Sequence, residues 1–169
     1  MVAIREIGAS SFDDQAFLEL LRDAVDDGAS VGYLAPLPDV DGRAYWHAVK
    51  SALADGRVLL GAYVEDRLVG SVQLDPVAKP NGRHRAEVQK LLVLREFRGR
   101  GIAKALMAAV ERKAAELDRW LLVLDTVPGQ PAEKLYERLG YRRAGVVPDY
   151  AEKSGGGFEP TVIFYKKVL

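Results

Sequence analysis

Apolar residues recur along this chain with two different periods, and the changes of period mark its elements. Met1-Val2-Ala3-Ile4-Arg5-Glu6-Ile7 alternates apolar with polar and predicts a first strand. Ser10-Ser11 can cap a helix with Asp13 and Asp14 in its first turn and the stripe Phe17, Leu20, Leu21, Ala24 and Val25; Asp26-Asp27-Gly28 closes it. From Gly28 to Asp41, glycines and prolines interrupt every pattern around Val31, Tyr33 and Leu34, which predicts a long loop of the kind that carries function. Tyr45, Ala48, Val49, Ala52 and Leu53 mark a second helix. Arg57 to Val64 and Leu68 to Leu74 read as a hairpin turning at Glu65-Asp66-Arg67, followed by a breaker-rich turn from Pro76 to Gly82.

The second half repeats a strand-to-helix order. Ala86 to Leu94 predicts a strand, Arg95 to Arg100 a turn, and Ile102, Ala105, Leu106, Ala109, Val110 and Leu117 the buried stripe of a helix. Trp120 to Leu124 is apolar on both alternating faces, as a central strand covered on both sides requires, and Asp125-Thr126 ends it. Pro131 suits the first turn of a helix with the stripe Ala132, Leu135, Tyr136 and Leu139, which Gly140 can stop. Tyr141 to Val147 and Thr161 to Val168 predict the last strands, separated by Pro148 and the run Ser154-Gly155-Gly156-Gly157. The expectation is a mixed α/β (α+β) sheet of about seven strands with about four helices, in one domain over 1–169.

Composition narrows the chemistry. Lys plus Arg equals Asp plus Glu at 24 each, so no summed field favours a polyanion, and nucleic acid is not expected as a partner. The absence of cysteine removes disulfides, thiolate nucleophiles and Cys-based zinc sites; His47 and His84 alone do not suggest a metal cage, so no metal is expected. No apolar run is long enough to span a membrane and no secretory leader is legible, which makes a cytoplasmic location the expectation.

The most informative segment is Arg98-Gly99-Arg100-Gly101-Ile102-Ala103-Lys104. Two glycines allow a ligand to approach the backbone, and the helix start beyond them presents unpaired N–H groups and a positive dipole end, a setting for a pyrophosphate. Arg95, Arg98, Arg100 and Lys104 add local positive charge. A P-loop would need glycine before the lysine and Ser or Thr after it, whereas Ala103-Lys104-Ala105 stands here. A dinucleotide fingerprint would need Gly or Ala where Lys104 lies. A tight turn with solvated arginines is the remaining alternative.

Arg98-x-x-Gly101-x-Ala103, after Leu91-Leu92-Val93-Leu94 and before a helix, resembles the acetyl-coenzyme A signature of the GNAT N-acetyltransferases. Leu135-Tyr136-Glu137-Arg138-Leu139-Gly140-Tyr141 is similar to that family's second motif. The likeness extends to the tabtoxin-resistance acetyltransferases through Gly28-Ala29-Ser30-Val31-Gly32, Lys79-Pro80-Asn81-Gly82, Arg85 to Leu91 and Leu124-Asp125-Thr126. Gly129 departs from the asparagine many members carry. The resemblance implies acetyl-CoA as cofactor and a splayed strand pair. It assigns the acetyl carbonyl and pantetheine to the backbone of Leu92, Val93 and Leu94, and the pyrophosphate to amides from Gly99 through Arg100, Gly101, Ile102 and Ala103 to Lys104. Thr126 would close the opposite strand, and a homodimer is what family habit suggests.

The implied reaction is transfer of acetyl to the primary amine of a small molecule by direct attack through a tetrahedral intermediate, since no nucleophilic Ser, Cys or His arrangement is legible. The amine arrives as an ammonium of pKa near ~10, so a base is needed. Glu87 alternates with Gln89, Leu91 and Val93 and so is expected on the cofactor's face; a solvated residue paired with Arg85 is the alternative. Asp125 ends the central strand where ligands gather, or serves only as a turn or capping carboxylate. Tyr136 can protonate the departing thiolate, or is core packing. Tyr33, Leu34, Trp46 and Tyr150, with the segment on to Phe158, are expected around the acceptor, an amino-acid-like toxin, antibiotic or metabolite; core packing is the equal alternative for Trp46 and Tyr33. A sensor that keeps the coenzyme A site without turnover is the reading from another class.

Overall fold

Asp13, not Ser10 or Ser11, starts the first helix. Its carboxylate accepts from the amides of Gln15 and Ala16 at 3.1 and 3.0 Å, while the Ser11 hydroxyl is engaged with Gly8 in a 3-10 turn. In the computed structural model, which describes residues 1–168, strand β1 (Ala3–Glu6) leads through that turn to α1 (Asp14–Asp26) and then, across the long loop, to α2 (Asp39–Ala52). The chain continues through β2 (Val58–Val64), β3 (Arg67–Pro76), β4 (Arg85–Val93), α3 (Ile102–Glu116), β5 (Leu121–Thr126), α4 (Pro131–Arg138), β6 (Arg142–Glu152) and β7 (Phe158–Lys167). These strands form one sheet in the order β1-β2-β3-β4-β5-β7-β6, antiparallel except where β4 runs parallel to β5. No described helix is long and apolar enough to cross a membrane.

Alternation along β3 sends helices to both faces. Gln73 donates from Nε2 to the Tyr45 hydroxyl of α2 at 2.8 Å, whereas Gly70, of opposite parity, lies beneath Ile102 and Leu106 of α3. A Cβ on Gly70 would stand 2.8 Å from the Leu92 carbonyl oxygen, so this close approach requires glycine. On the α1 and α2 side, Phe12, Phe17 and Trp46 pack ring on ring, with centroids 4.5 to 6.0 Å apart.

Several expectations are corrected. Leu117 is exposed just past the end of α3, and Trp120 lies outside β5, exposed and stacked on His84 at 4.8 Å. Pro148 does not end β6: this is the edge strand, where a missing N–H is tolerated, and a bulge between Val147 and Ala151 with Asp149 at φ 50° absorbs it. The last hairpin is therefore longer than the pattern suggests.

Candidate functional site

The turn into α3 has the backbone that its glycines imply. Gly99 and Gly101 lie at φ +74° and +78°, where other residues pay about 1–2 kcal/mol, and a Cβ on either would meet nothing within 4 Å. No side chain caps the helix, so the first amides of α3 point into open space. Ile102 buries its side chain under Gly70 and can contribute only main chain; Ala103 is half-buried and Lys104 exposed.

The arginines brace this turn. Arg95 donates from its amide and Nε to Asp23 at 2.9 and 2.8 Å, and Arg98 donates from Nη1 to Asp27 at 2.6 Å and from Nε to the Val93 carbonyl at 3.1 Å. Arg100 donates to the Glu96 carbonyl at 3.0 Å and lies over the Phe97 ring. The sequence carried a signal for the clamp: Asp23, Asp26 and Asp27 crowd the C-terminal end of α1, where the helix dipole disfavours negative charge unless cations come from elsewhere.

Between β4 and β5 the sheet opens. Paired residues run only from Arg85 with Leu121 to Glu87 with Val123, although β4 continues to Val93 and β5 to Thr126. A bulge decides which groups of β4 face the gap. Gln89 lies opposite Gln73 and Leu92 opposite Ser71, so Lys90 and Leu91 together oppose Val72, and Lys90 takes φ 50°. The extra residue reverses the phase: Glu87 and Gln89 share a face with Leu92, not with Leu91 and Val93 as simple alternation predicts.

Main-chain groups sort the same way. Leu94 N–H donates to Val69 O at 2.9 Å, which makes Val93 and Gly70 a non-hydrogen-bonded pair and turns the Val93 N–H and C=O toward the gap. Leu92 and Leu94 turn theirs toward β3. Of the three residues expected to hold pantetheine, Val93 alone offers its backbone to the opening, and its carbonyl already accepts from Arg98. Across the gap, the Thr126 carbonyl accepts from Thr161 Oγ1 at 3.2 Å.

Two carboxylates lie on the strands that part, and a buried phenol lies on α4. Glu87 is exposed, in register with Asp75 on one side and Val123 on the other, and accepts from Gln89 Nε2 at 3.1 Å; it has no ion pair with Arg85 among the described residues. Asp125 Oδ2 accepts from Thr161 Oγ1 at 2.7 Å and caps nothing, since the residue before α4 is Gln130 and the Gly129 amide donates to Glu133. Tyr136 is 6% exposed, its ring against Tyr141 and Phe164. Burial, and secondarily the charge of Asp125, push its pKa well above the ordinary tyrosine value, so the phenol keeps its proton. Lys90, half-buried on the bulge, has its pKa lowered by burial and by Arg57, against an opposing pull from Asp125. Among the described residues, no group of three or more His, Cys, Asp or Glu side chains is placed to hold a metal ion.

Buried phenols carry a consequence for stability. Tyr45 is raised by burial to about 12, and Tyr136 and Tyr141 are pushed higher still, chiefly by burial. Below the unfolded value of 10.0 both states are protonated and stability is intact; above it only the unfolded chain ionises. Stability then falls by up to about 1.4 kcal/mol per pH unit for each phenol. Thermal midpoints followed from pH 8 to 11.5 drop steeply above 10, and Tyr141→Phe, whose hydroxyl is buried without a partner, flattens that drop. An unchanged slope would refute the assignment.

The long loop and the last hairpin meet beside the opening. The Ala35 amide donates to Ser154 Oγ at 2.8 Å, and a cavity of about 180 Å³ lies between Gly28, Ser30 and Tyr33 on one side and Glu152, Ser154 and Glu159 on the other. Gly32 and Leu34 line a neighbouring hollow. Tyr33 meets Tyr45 edge-on at 5.8 Å. Of the expected acceptor residues, Tyr33 and Leu34 line these hollows, Tyr150 is 58% exposed and lines neither, and Trp46 is sealed in the core at 1% exposure. Glu152 falls within the segment expected around the acceptor, whereas pattern reading missed Lys90, Tyr45, Gln73 and Glu159. Only the polar doublet Gln89-Lys90, which breaks a strand's alternation, hinted at the bulge.

Known proteins share this fold. Human N-acetyltransferase 8B is 38% identical over 99 residues, covering 57% of this chain and 44% of that protein. The chain spans less than half the length of the curated relatives it matches. Among solved structures, an N-acetyltransferase from Staphylococcus aureus Mu50 superposes with TM-score 0.84 at 18% identity, covering 100% of this chain and 99% of that one. A GNAT superfamily phosphinothricin acetyltransferase from Sinorhizobium meliloti, solved in complex with AcCoA, gives 0.83 at 18% identity over 99% and 88%. At such identities the likeness to solved structures is one of fold. Residues 18–141, which carry the glycine turn, the opened strand pair and Tyr136, match the acetyltransferase (GNAT) family, and the chain belongs to that family.

Proposed function

We propose that residues 1–169 act as one acetyl-CoA-dependent N-acetyltransferase domain in the cytoplasm, acetylating the primary amine of an amino-acid-like small molecule. The observation that carries this reading is the gap between β4 and β5: the Val93 N–H faces it, the uncapped start of α3 lies beyond the end of β4, and Glu87 and Asp125 stand on the two strands that part there. These groups suit a cofactor with a diphosphate at one end and amides along its arm. The donor supplies an activated thioester carbonyl, toward which the Val93 N–H is the available main-chain dipole. Glu87 and Asp125 attract an ammonium and take its proton, directly or through water. Tyr136, held protonated, donates from its hydroxyl to the departing thiolate. Likeness to the tabtoxin-resistance enzymes supports an acceptor of amino-acid type.

A panel of amines with acetyl-CoA, read by thiol release and by mass of the product, tests the proposal; binding without turnover on any amine would favour the sensor. Tyr136→Phe keeps the ring and removes the proton. Turnover falls by 10²–10⁴-fold, the usual span for a lost general acid, with the acetyl-CoA dissociation constant within threefold of the parent. Parental turnover would remove Tyr136 from the chemistry.

A further inference from the structure

Lys90 is costly to place for folding alone. It sits on the β4 bulge at φ 50°, a conformation that favours glycine or asparagine, and its half-buried ammonium has no carboxylate within ion-pairing distance among the described residues. Its stem runs beside Tyr45, with Nζ 5.7 Å from the ring centroid. Nζ would lie 3.8 Å from a Cβ on Gly32, a residue at φ +95° that lines the hollow with Tyr33 and Leu34. The missing side chain at Gly32 lets the ammonium come close to the loop that lines that hollow, whose far side carries Glu152. The charge of Asp125, on β5 across the gap, reaches Lys90.

We infer that Lys90 forms an anion subsite for the acceptor, binding a carboxylate carried beside the amine that is acetylated. An acceptor bound this way turns its ammonium toward Asp125 and Glu87 and its carboxylate toward Nζ. The bound carboxylate supplies the counter-ion that Lys90 lacks. Tyr45, hydrogen-bonded to Gln73, fixes the lysine stem against the sheet. Polyamines and aminoglycosides, which would bring positive charge up to Lys90, are disfavoured by the same geometry.

The inference rests on the acetyltransferase reading, and the test separates the two. L-Amino acids and their carboxamides are compared as matched acceptors at saturating acetyl-CoA, in the parent, Lys90→Met and Lys90→Arg. The parent favours the acid over the amide at least tenfold in kcat/KM, expressed in KM. Lys90→Met brings that ratio near one, Lys90→Arg retains most of it, and acetyl-CoA affinity is the same in all three. A ratio that survives in Lys90→Met, or a parent preferring amides or polyamines, overturns the subsite while leaving the enzyme class intact. If acetyl-CoA binds but no amine is turned over, the transferase reading fails. The subsite is then judged by titrating N-acetyl-L-alanine and N-acetyl-L-methionine into the coenzyme A complex, where binding that is equal in parent and Lys90→Met overturns it.

Discussion

Gly101→Glu raises the acetyl-CoA dissociation constant at least about 100-fold, a loss of roughly 2.7 kcal/mol, and lowers the thermal midpoint by only a few degrees. Gly101 stands at φ +78° immediately before α3, and a side chain there projects into open space instead of into protein. The left-handed conformation costs a glutamate about 1–2 kcal/mol, offset in part because a carboxylate beside free helix amides is stabilising. That same carboxylate would stand where the proposed cofactor path puts a diphosphate oxygen. Two unit charges about 4 Å apart near a protein surface repel by roughly 4 kcal/mol, more than the loss required. Gly101→Ala separates the contributions, since it carries the backbone strain without the charge and is expected to weaken binding by less than tenfold. Calorimetric titration beside thermal melts gives both numbers. An unchanged affinity in Gly101→Glu would place the diphosphate elsewhere, and the proposed cofactor path along Val93 would go with it.

Trp46→Ala is expected to remove about 3–5 kcal/mol of stability, a large part of the 5–15 kcal/mol that holds an ordinary domain folded. Trp46 is 1% exposed, its ring tilted or edge-on against Phe12, Phe17 and Tyr45, so truncation leaves a cavity at the joint of α1 and α2. Its Nε1 is buried without a partner, and Trp46→Phe removes this orphan donor while keeping a ring, so its cost is far smaller. Denaturant midpoints for the two variants give the ordering. Trp46→Phe also carries a functional readout: the KM for an amine acceptor stays at the parental value, because no part of the indole reaches the hollow. A raised KM in the well-folded Trp46→Phe protein would return this residue to the acceptor site.

Much of the fold follows from local pattern. The helices at Phe17 to Val25, Ile102 to Val110 and Ala132 to Leu139 lie where apolar spacing of 3.6 predicts them, and the Glu65-Asp66 hairpin turns with both residues at positive φ. Helix ends were less legible, because Asp13 outcompetes two serines as cap through a choice of two amides that no spacing rule ranks. Pro148 misleads for a related reason: a proline argues against a strand only if the strand is internal, and β6 lies at the edge.

For the site, residue types alone determined the glycine turn, the helix start that follows it and the carboxylates and phenol to consider. Those depend on covalent constraints such as φ at Gly99 and Gly101, and on neighbours within one turn. The pairings were decided in three dimensions: Arg95 and Arg98 reach back to Asp23 and Asp27, the bulge at Lys90 reverses which side chains and amides of β4 face the gap, and Trp46 sinks into the core while Tyr33 remains at the hollow. Each of these turns on a register or a contact between segments far apart in the chain. Sequence periodicity holds no information about which of two equally apolar faces meets another element, or about where one extra residue enters a ladder.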